Sequence, residues 1–217
     1  AEKIVVISHY GFVYSEPNQT SQTVSDVVAG NRLKWEGSKG AYYKVVYPDG
    51  RTGYISKSIS MPESKWRASL KQDAASIIHT AHTLMGVPYL WAGTSSKGID
   101  CSGFMRTILF IHDIIIPRDA SQQALTGDIM PAEQWDECQT GDLLFFGNAP
   151  GKVSHVALYL NDGKYIHSSG QVKINSIDAR DTDYYAIPLL GISRVVNKIG
   201  TPGITAVKRH PWYFEQK

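Results

Sequence analysis

One cysteine and two histidines are the residues of this sequence whose chemistry suits covalent catalysis. Cys101 lies in the stretch KGIDCSGF, and His155 and His167 lie in the stretch VSHVALYLNDGKYIHSS. A thiol becomes an effective nucleophile when a nearby base removes its proton and a third group orients that base. Three other interpretations of Cys101 stand beside this one: a packed small hydrophobe, half of a disulfide, and a metal ligand.

The spacing of the cysteines and histidines favours neither a disulfide nor a metal site. The two cysteines, Cys101 and Cys138, are too few for a disulfide framework, and no pattern indicates that they approach each other. One cysteine and two histidines without a CxxC or HxxxH spacing do not match a zinc site. We therefore expect no metal and no organic cofactor.

The thiol is predicted to lie in the first turn of a helix. Asp100 is a residue type that caps helices, and Phe104, Ile108 and Ile111 then repeat at helical intervals. Free backbone N–H groups and the positive end of the helix dipole favour a thiolate at such a position. We therefore expect the pKa of Cys101 to be lowered.

A hairpin turn between the two histidines decides which way their side chains point. The stretch Asn161-Asp162-Gly163 suits a three-residue loop with its glycine in the left-handed conformation, and such a loop pairs Leu160 with Lys164. A two-residue Asp-Gly turn is the alternative. It shifts the register by one residue and places the two histidines on opposite faces of the sheet.

With the three-residue loop, the two imidazoles share one face of the sheet. Counting outward from the turn puts His155 opposite Ser169, so that His167 becomes its diagonal neighbour, and we expect the two rings to hydrogen-bond. If this face packs against the N-terminus of the helix that carries Cys101, a nucleophile, a base and an orienting group come together. Two histidines with satisfied hydrogen bonds in a half-buried strand are the structural alternative.

The surrounding pattern predicts two domains. Short aromatic and β-branched stretches, punctuated by glycines and by the PDG turn at 48–50, predict a small all-β barrel over residues 1–62. A single run with helical spacing follows, with Ser64 as its candidate N-cap and Gly86 at its end, and strands dominate from residue 141. Helices followed by an antiparallel sheet predict an α+β domain over residues 63–217.

Composition narrows the classes of partner. The chain is 42% hydrophobic and 19% charged, an ordinary globular mixture. Its net charge of +2 arises from charges spread along the chain, so no basic stripe indicates nucleic-acid binding. No apolar run approaches the roughly 18 residues that span a bilayer. We expect a soluble monomer without a transmembrane segment, and the start at Ala1 fits a processed or trimmed chain.

The aromatic cluster in HPWYFEQK, residues 210–217, is predicted to anchor the C-terminal tail.

Ordered motifs carry a family resemblance in each predicted domain. The N-terminal pattern GNRL, YYKV and PDGRTGYI resembles the bacterial SH3-like domain. Over residues 66–195, the order and spacing of the motifs resemble the NlpC-type cysteine peptidase family of bacterial cell-wall hydrolases. The motifs are GVPYLWAG (86–93), GIDCSGF (98–104), PRDASQQ (117–123), GDLLFF (141–146), VSHVALYL (153–160) and YIHSS (165–169).

The resemblance implies a papain-like catalytic domain and a role for each matching residue. It implies that Cys101 is the nucleophile, that His155 is general base and then general acid, and that His167 orients His155. Tyr89 matches a tyrosine whose hydroxyl lies near the nucleophile and assists the oxyanion hole with the backbone N–H of Cys101. Ala92 departs from the common WGG pattern, and we expect its methyl group only to narrow the local backbone freedom.

The resemblance also implies the substrate class. Family members cleave the bond between γ-D-glutamate and a diamino acid, diaminopimelate or lysine, in peptidoglycan stem peptides. Members preceded by SH3-like domains resemble a subgroup that prefers a free N-terminal L-alanine. Asp119 is suited to meet the alanine ammonium group, and Asp100 and Ser102 to complete the pocket. Each aspartate has an alternative role as a helix N-cap. Candidates for a wall that blocks longer chains are Tyr14, Glu16, Tyr42, Tyr43 and Tyr54.

These features predict an enzyme of murein turnover or recycling. We expect it in the cell envelope, in the periplasm or outside the cell rather than in the cytoplasm. Two other functions stay open at this stage. One is a cell-wall-binding module with an inactive peptidase half, and the other is an amidase or acyltransferase that uses the same thiol.

Overall fold

The computed structural model describes residues 2–210, so residues 211–217 of the predicted tail anchor lie outside the described part. Contacts within the chain divide it into two units, one extending to Leu70 and one beginning at Lys71. The boundary that the sequence predicts, between residues 62 and 63, stays a prediction. No helix within residues 2–210 has the length and apolar character needed to cross a membrane.

The N-terminal unit is built on one seven-stranded antiparallel sheet with the order β3-β2-β6-β5-β4-β1-β7. Buried aliphatic side chains such as Ile4, Val13, Val45 and Ile55 fill its core. The PDG sequence forms the turn between β5 and β6. The elements are β1 (Lys3–Val6), β2 (Tyr10–Tyr14), β3 (Thr23–Val28), β4 (Arg32–Lys39), β5 (Tyr42–Val46), β6 (Thr52–Ser56), β7 (Ser60–Pro62) and helix α1 (Glu63–Ser69).

The single helix predicted from residue 64 is wrong, because the structure has two helices there. Helix α1 ends at Ser69, and the chain at Leu70 is extended. Helix α2 (Ala74–Thr83) begins after Asp73, whose Oδ1 accepts a hydrogen bond from the backbone N–H of Ser76 at 2.9 Å. Ser64 is not a cap, since Pro62 precedes α1. The apolar spacing runs through both helices, and the new cap at Asp73 is what separates them.

The C-terminal unit combines helices with a six-stranded antiparallel sheet of order β11-β16-β12-β13-β14-β15. This confirms the α+β class. From residue 141, strands cover most of the predicted stretches DLLFF, VSHVALYL and KYIHSS and the first half of SRVV, whereas β11 and β15 are additional strands of this sheet. The elements are β8 (Thr94–Ser95), β9 (Gly98–Ile99), α3 (Cys101–Ile111), β10 (Ile114–Ile115), α4 (Ala120–Gln123), β11 (Asp128–Met130), β12 (Leu143–Phe146), β13 (His155–Asn161), β14 (Lys164–Ser169), β15 (Gln171–Ser176), β16 (Leu189–Arg194) and β17 (Thr205–Ala206), with 3₁₀ helices at Ala132–Glu137 and Val207–Arg209.

The two faces of this sheet carry different side chains. We call one the helix face, because its aliphatic residues form a single buried cluster with α2 and α3. The other, the histidine face, carries a separate cluster with several aromatic rings. The helix face includes Leu143, Phe145, Val156, Leu158, Leu160 and Ile166. The histidine face includes Leu144, Phe146, Ala157, Tyr159, Tyr165 and Ile192. Alternate residues of a strand point to opposite faces, so His155 and His167 belong with Ala157 and Tyr165.

Candidate active site

Helix α3 holds Cys101 at its first position, as the sequence predicts. Asp100 is the N-cap, and its Oδ1 accepts a hydrogen bond from the backbone N–H of Gly103 at 2.6 Å. Gly103 itself is required by close packing, since a Cβ there would lie 2.1 Å from the carbonyl oxygen of Gly93. The buried side chain of Phe104 anchors the same turn in the core. The thiol therefore stands at a rigid helix start.

The prediction of a lowered pKa for Cys101 is wrong. Only 8% of the residue is exposed, and this burial raises the pKa of the thiol above its ordinary value. Backbone N–H groups of Val156, Ser102 and Cys101 itself oppose the rise in pKa, while the charge of Asp100 adds to it. The helix start does favour the thiolate, but desolvation outweighs it. The resting sulfur is a neutral thiol.

The hairpin reaches the predicted register by a different turn. Asp162 and Gly163 both have positive φ, 47° and 74°, and Asn161 pairs with Lys164, so the loop has two residues. The predicted pair of Leu160 with Lys164 is therefore wrong. A bulge between Tyr159 and Asn161 then shifts the register by one residue. The loop is one residue shorter than predicted, and the bulge adds one residue to β13, so the strands beyond the bulge pair as predicted.

Beyond the bulge the predicted arrangement of the histidines is confirmed. Leu158 pairs with Ile166, the register in which His155 stands opposite Ser169. His155 Nε2 and His167 Nδ1 are 2.6 Å apart, within hydrogen-bonding distance. The two rings meet edge to face with their centroids 4.9 Å apart. The histidine pair predicted from the sequence is therefore present, although the predicted loop length is wrong.

A third polar side chain, Asn175 of β15, continues this hydrogen-bonded chain. His167 Nε2 lies 2.9 Å from Asn175 Oδ1, and Asn175 Nδ2 donates to the carbonyl oxygen of Asp183 at 2.7 Å. Sequence reasoning missed Asn175 because it did not predict β15. The available signal was an asparagine in the short alternating stretch QVKINS directly after the second histidine.

Burial keeps both imidazoles neutral. His167 is fully buried and His155 half-buried, and both pack among aromatic rings that include Phe146, Tyr165 and Tyr185. Desolvation is the largest cause that lowers the pKa of His155 to about 3 and that of His167 to about 4. At neutral pH each ring therefore carries one proton, and His155 retains a nitrogen, Nδ1, that His167 does not engage.

The histidines and the thiol belong to different sides of the sheet. We expected the imidazole face to pack against the helix N-terminus, but α3 packs on the helix face. The reason is the alternation along β13, where Val156 points to the helix and His155 does not. The link between the two sides runs along the backbone, because the N–H that is directed at Cys101 Sγ belongs to Val156, the residue after His155.

A cleft of 590 Å³ opens at the thiol. Its lining includes the oxyanion candidate Tyr89 and the substrate-binding candidates Asp100, Ser102 and Asp119, together with one further segment at residues 153–154. Its lining consists of Tyr89, Trp91, Ala92, Asp100, Cys101, Ser102, Arg118, Asp119, Ala120, Ser121, Val153 and Ser154.

The two aspartates of the cleft differ in what they already bind. Arg118 donates from Nη2 to Asp100 Oδ2 and from Nη1 to both Asp100 Oδ1 and Ser102 Oγ. Asp119 is the exposed N-cap residue of α4, and within residues 2–210 its carboxylate forms no ion pair. Both aspartates are caps, and the Asp119 side chain forms a capping box with Gln122. They differ in that Asp100 is buried and paired with Arg118, whereas Asp119 is exposed and has no ion-pair partner within residues 2–210.

Two other cleft residues have notable local properties. Burial, together with the nearby Cys101 and Asp100, raises the pKa of Tyr89, so that its phenol stays protonated and can donate a hydrogen bond. Ala92 has φ of 63°, in the left-handed region that favours glycine. Its methyl group therefore does more than narrow the backbone freedom, because it stands on a strained backbone at the cleft.

Neither cysteine is bonded to another residue, and the second lies apart from the cleft lining. Cys101 and Cys138 are both free thiols. Burial, with a contribution from Asp142, raises the pKa of Cys138 to about 12. Within the described part of the chain, no group of three or more histidine, cysteine, aspartate or glutamate side chains is arranged to hold a metal ion.

Family models match both units of the chain. The model of the NlpC/P60 family matches residues 86–194, and that of the bacterial SH3 domain matches residues 9–60. The first match contains Cys101, His155, His167 and Asn175.

Similar proteins come from bacilli. A gamma-D-glutamyl-L-lysine dipeptidyl-peptidase of Bacillus cereus is 34% identical over 167 residues, covering 76% of this chain and 49% of the relative. A protein of the same name from Bacillus subtilis is 39% identical over 132 residues, covering 60% of this chain and 42% of the relative. The chain thus spans about half the length of these curated relatives. The crystal structure of an NlpC/P60 family protein from Bacillus cereus matches with a TM-score of 0.74 at 29% identity, covering 90% of this chain and 63% of that one.

Proposed function

The chain belongs to the NlpC/P60 family, and from this premise we propose that it is a cysteine endopeptidase of peptidoglycan stem peptides. The bond it hydrolyses joins γ-D-glutamate to a diamino acid, diaminopimelate or lysine. The observation that carries the proposal is a cleft in which the Cys101 thiol and the unpaired Asp119 carboxylate both stand, next to the strand that begins with His155.

The chemistry begins with a neutral thiol and a neutral base. The Sγ proton passes to His155 Nδ1 as sulfur bonds to the γ-carbonyl carbon of D-glutamate. The backbone N–H of Cys101 and the phenol of Tyr89 donate to the resulting oxyanion. His155 then returns the proton to the diamino acid nitrogen as the C–N bond breaks. A water molecule attacks the thioester carbon, gives a proton to His155, and the sulfur recovers it.

Asp119 is proposed to select a free N-terminal L-alanine. An ammonium group in the cleft would find an exposed carboxylate without an ion-pair partner. When the alanine is still amide-linked to the glycan, the positive charge is absent and the interaction is lost. Asp100 and Ser102 act differently, since Arg118 joins them into a fixed edge of the pocket. The substrate of this enzyme is then a released stem peptide.

The proposed setting is the cell envelope, in murein turnover or recycling. Relatives named as peptidoglycan endopeptidases support this setting, among them RipB of Mycobacterium tuberculosis, which is 37% identical over 117 residues. The N-terminal domain that matches the bacterial SH3 model accords with it. We propose that the protein acts as a monomer.

Cleavage of matched synthetic peptides tests the proposal. Wild-type protein is incubated with L-Ala-γ-D-Glu-L-Lys, with the diaminopimelate equivalent, and with N-acetylated versions of both, and the products are identified by mass spectrometry. We expect a free diamino acid from the free-amine peptides and at least roughly tenfold slower cleavage after acetylation. No cleavage of any peptide contradicts the peptidase, and release of ammonia or transfer to an added amine would favour an amidase or an acyltransferase.

The variant Asp119→Asn isolates the ammonium contact. It keeps the size of the side chain and removes the charge, so KM for the free-amine peptide should rise roughly tenfold with little change in kcat. The N-acetylated peptide should be cleaved equally by Asp119→Asn and by wild type. If KM and kcat of the variant equal those of wild type for both peptides, Asp119 is not the residue that selects the free amine.

A further inference from the structure

We infer that Asn175 is a positioning residue that fixes the tautomers of both histidines, so that His155 Nδ1 presents a lone pair to the thiol proton. The inference rests on the proposed function, because it concerns the base of that reaction. It comes from a chain of three hydrogen bonds that links His155, His167 and Asn175 and ends on the backbone carbonyl of Asp183.

The orientation of the Asn175 amide is determined by the last acceptor of these hydrogen bonds, the backbone carbonyl of Asp183. A carbonyl oxygen only accepts hydrogen bonds, so the amide nitrogen must be the atom that faces the Asp183 carbonyl, at 2.7 Å. The same carbonyl oxygen accepts the backbone N–H of Ser176 at 3.0 Å, which holds it in place. The amide oxygen is therefore the atom that faces His167. Amide oxygen and nitrogen are often hard to tell apart, but here their partners distinguish them.

The amide oxygen in turn determines where His167 carries its proton. Asn175 Oδ1 only accepts, so His167 Nε2 at 2.9 Å must be the protonated nitrogen. A neutral imidazole has one N–H, which leaves a lone pair on His167 Nδ1. That lone pair accepts from His155 Nε2 at 2.6 Å. The remaining nitrogen, His155 Nδ1, is left unprotonated.

The reverse arrangement is excluded by the same oxygen. If His167 carried its proton on Nδ1, the lone pair of Nε2 would face the lone pairs of Asn175 Oδ1. His155 would then carry its proton on Nδ1 and accept none from a thiol. A buried donor or acceptor without a partner is costly, and His167 is fully buried. Asn175 therefore favours the arrangement in which each hydrogen bond is donated toward Asn175, and this arrangement leaves the lone pair of His155 Nδ1 free to accept the thiol proton.

Two polar side chains beside the pair, Tyr185 and Lys173, do not compete for its hydrogen bonds. The Tyr185 ring packs against both imidazoles, but its hydroxyl lies 3.1 Å from Ser169 Oγ. The Lys173 ammonium stands over the Tyr185 ring at 5.4 Å, and its charge disfavours protonation of the histidines. The neutral state that the tautomer argument requires is thus maintained by burial and by this cation.

Nitrogen NMR tests the tautomers without any substrate. Long-range ¹H–¹⁵N spectra at neutral pH, assigned with His155→Gln and His167→Gln variants, report which ring nitrogens carry a proton. In wild type we expect Nε2 protonated and Nδ1 unprotonated in both rings. The variant Asn175→Leu should show a measurable fraction of the reversed tautomers. The matched control Gln171→Leu changes an exposed amide of the same strand and should leave the wild-type pattern.

Kinetics test the consequence for the base. With the free-amine peptide, Asn175→Leu should lower kcat in proportion to the fraction of reversed tautomers that the spectra show, with KM within about twofold, because the molecules with reversed tautomers lack the base and the binding groups are unchanged. The variant Asn175→Asp still accepts from His167, so kcat should stay within about tenfold of wild type. Its carboxylate should also move the acid limb of the pH profile to higher pH, since a negative charge favours a protonated pair.

Each result counts for or against the inference. Mixed or reversed tautomers in wild type overturn it, as does a folded Asn175→Leu with wild-type tautomers and wild-type kcat. If Asn175→Leu fails to fold, Asn175→Asp decides, and an unmoved acid limb overturns the inference. If wild type cleaves no peptide, the proposed function fails, while the NMR spectra still decide whether Asn175 sets the tautomers.

Discussion

The two faces of the six-stranded sheet are built from the same strands, yet their side chains interact differently. On the helix face, aliphatic side chains pack with α2 and α3 into one buried cluster. On the histidine face, the same strands hold two imidazoles among aromatic rings and a continuous hydrogen-bonded chain. One residue of offset along β13 separates Val156 from His155. The comparison indicates that rigidity comes from one face and proton chemistry from the other.

Among changes to the two faces of the sheet, removing the base should give the largest effect on activity. The variant His155→Gln keeps a polar side chain but has no titratable nitrogen, so kcat/KM should fall by about 10²–10⁴-fold. Steady-state kinetics with the free-amine peptide measure this, and circular dichroism checks that the variant is folded. A fall of less than about tenfold would break the assignment of proton chemistry to the histidine face.

Truncation on the opposite face should act on stability instead. Leu158 is fully buried on the helix face, and Leu158→Ala should lower the free energy of unfolding by about 2–5 kcal/mol through the cavity it leaves. Denaturant titration measures this. At a temperature where the variant is folded, kcat should change by less than about threefold. A large loss of kcat with unchanged stability would contradict the division of roles.

Acid should weaken the fold through the histidine face. Because burial lowers the pKa of both histidines below 6.5, the unfolded chain binds more protons than the folded one between that value and about 4 or 3. Their contribution to stability is complete above pH 6.5 and is lost as the pH falls through that window. The melting temperature should therefore fall on acidification, and more steeply in wild type than in the double variant His155→Gln and His167→Gln. Equal slopes would contradict the shifted pKa values.

A substitution at Ala92, which lies at the cleft and on neither face of the sheet, should give the smallest effect, a small change in the free energy of unfolding. Ala92 has a left-handed backbone, so Ala92→Gly should raise the free energy of unfolding by up to about 1 kcal/mol. Thermal unfolding measures the gain, with Ala120→Gly in α4 as a control that should lose stability. A loss of stability in Ala92→Gly would show that the methyl group makes a compensating contact.

Sequence reasoning succeeded where local rules act and failed where distant groups decide. The cap at Asp100 and the helix from Cys101 follow from spacing within one or two turns. The shared face of His155 and His167 was predicted from a loop that the structure does not have, and the bulge in β13 restores it. The bulge in β13 and the raised pKa of Cys101 depend on burial and on strand pairing, which no short window contains.

A third residue, Arg118, distinguishes the surroundings of Asp100 from those of Asp119. Local sequence makes both aspartates candidate caps, and it suggested Asp119 for the ammonium group and Asp100 for the edge of the pocket. The partner that separates them is Arg118, which binds Asp100 across the helix start. Asn175 was missed for a similar reason, since its importance arises from a strand pairing that brings it beside His167.

The most direct test of the account compares the two cysteines. Cys101→Ala and Cys138→Ala each remove one thiol, and only Cys101 lines the cleft. Release of diamino acid from L-Ala-γ-D-Glu-L-Lys is followed by mass spectrometry for both variants and for wild type. We predict that Cys138→Ala keeps the wild-type rate and that Cys101→Ala releases no product. Product from a folded Cys101→Ala would contradict the account.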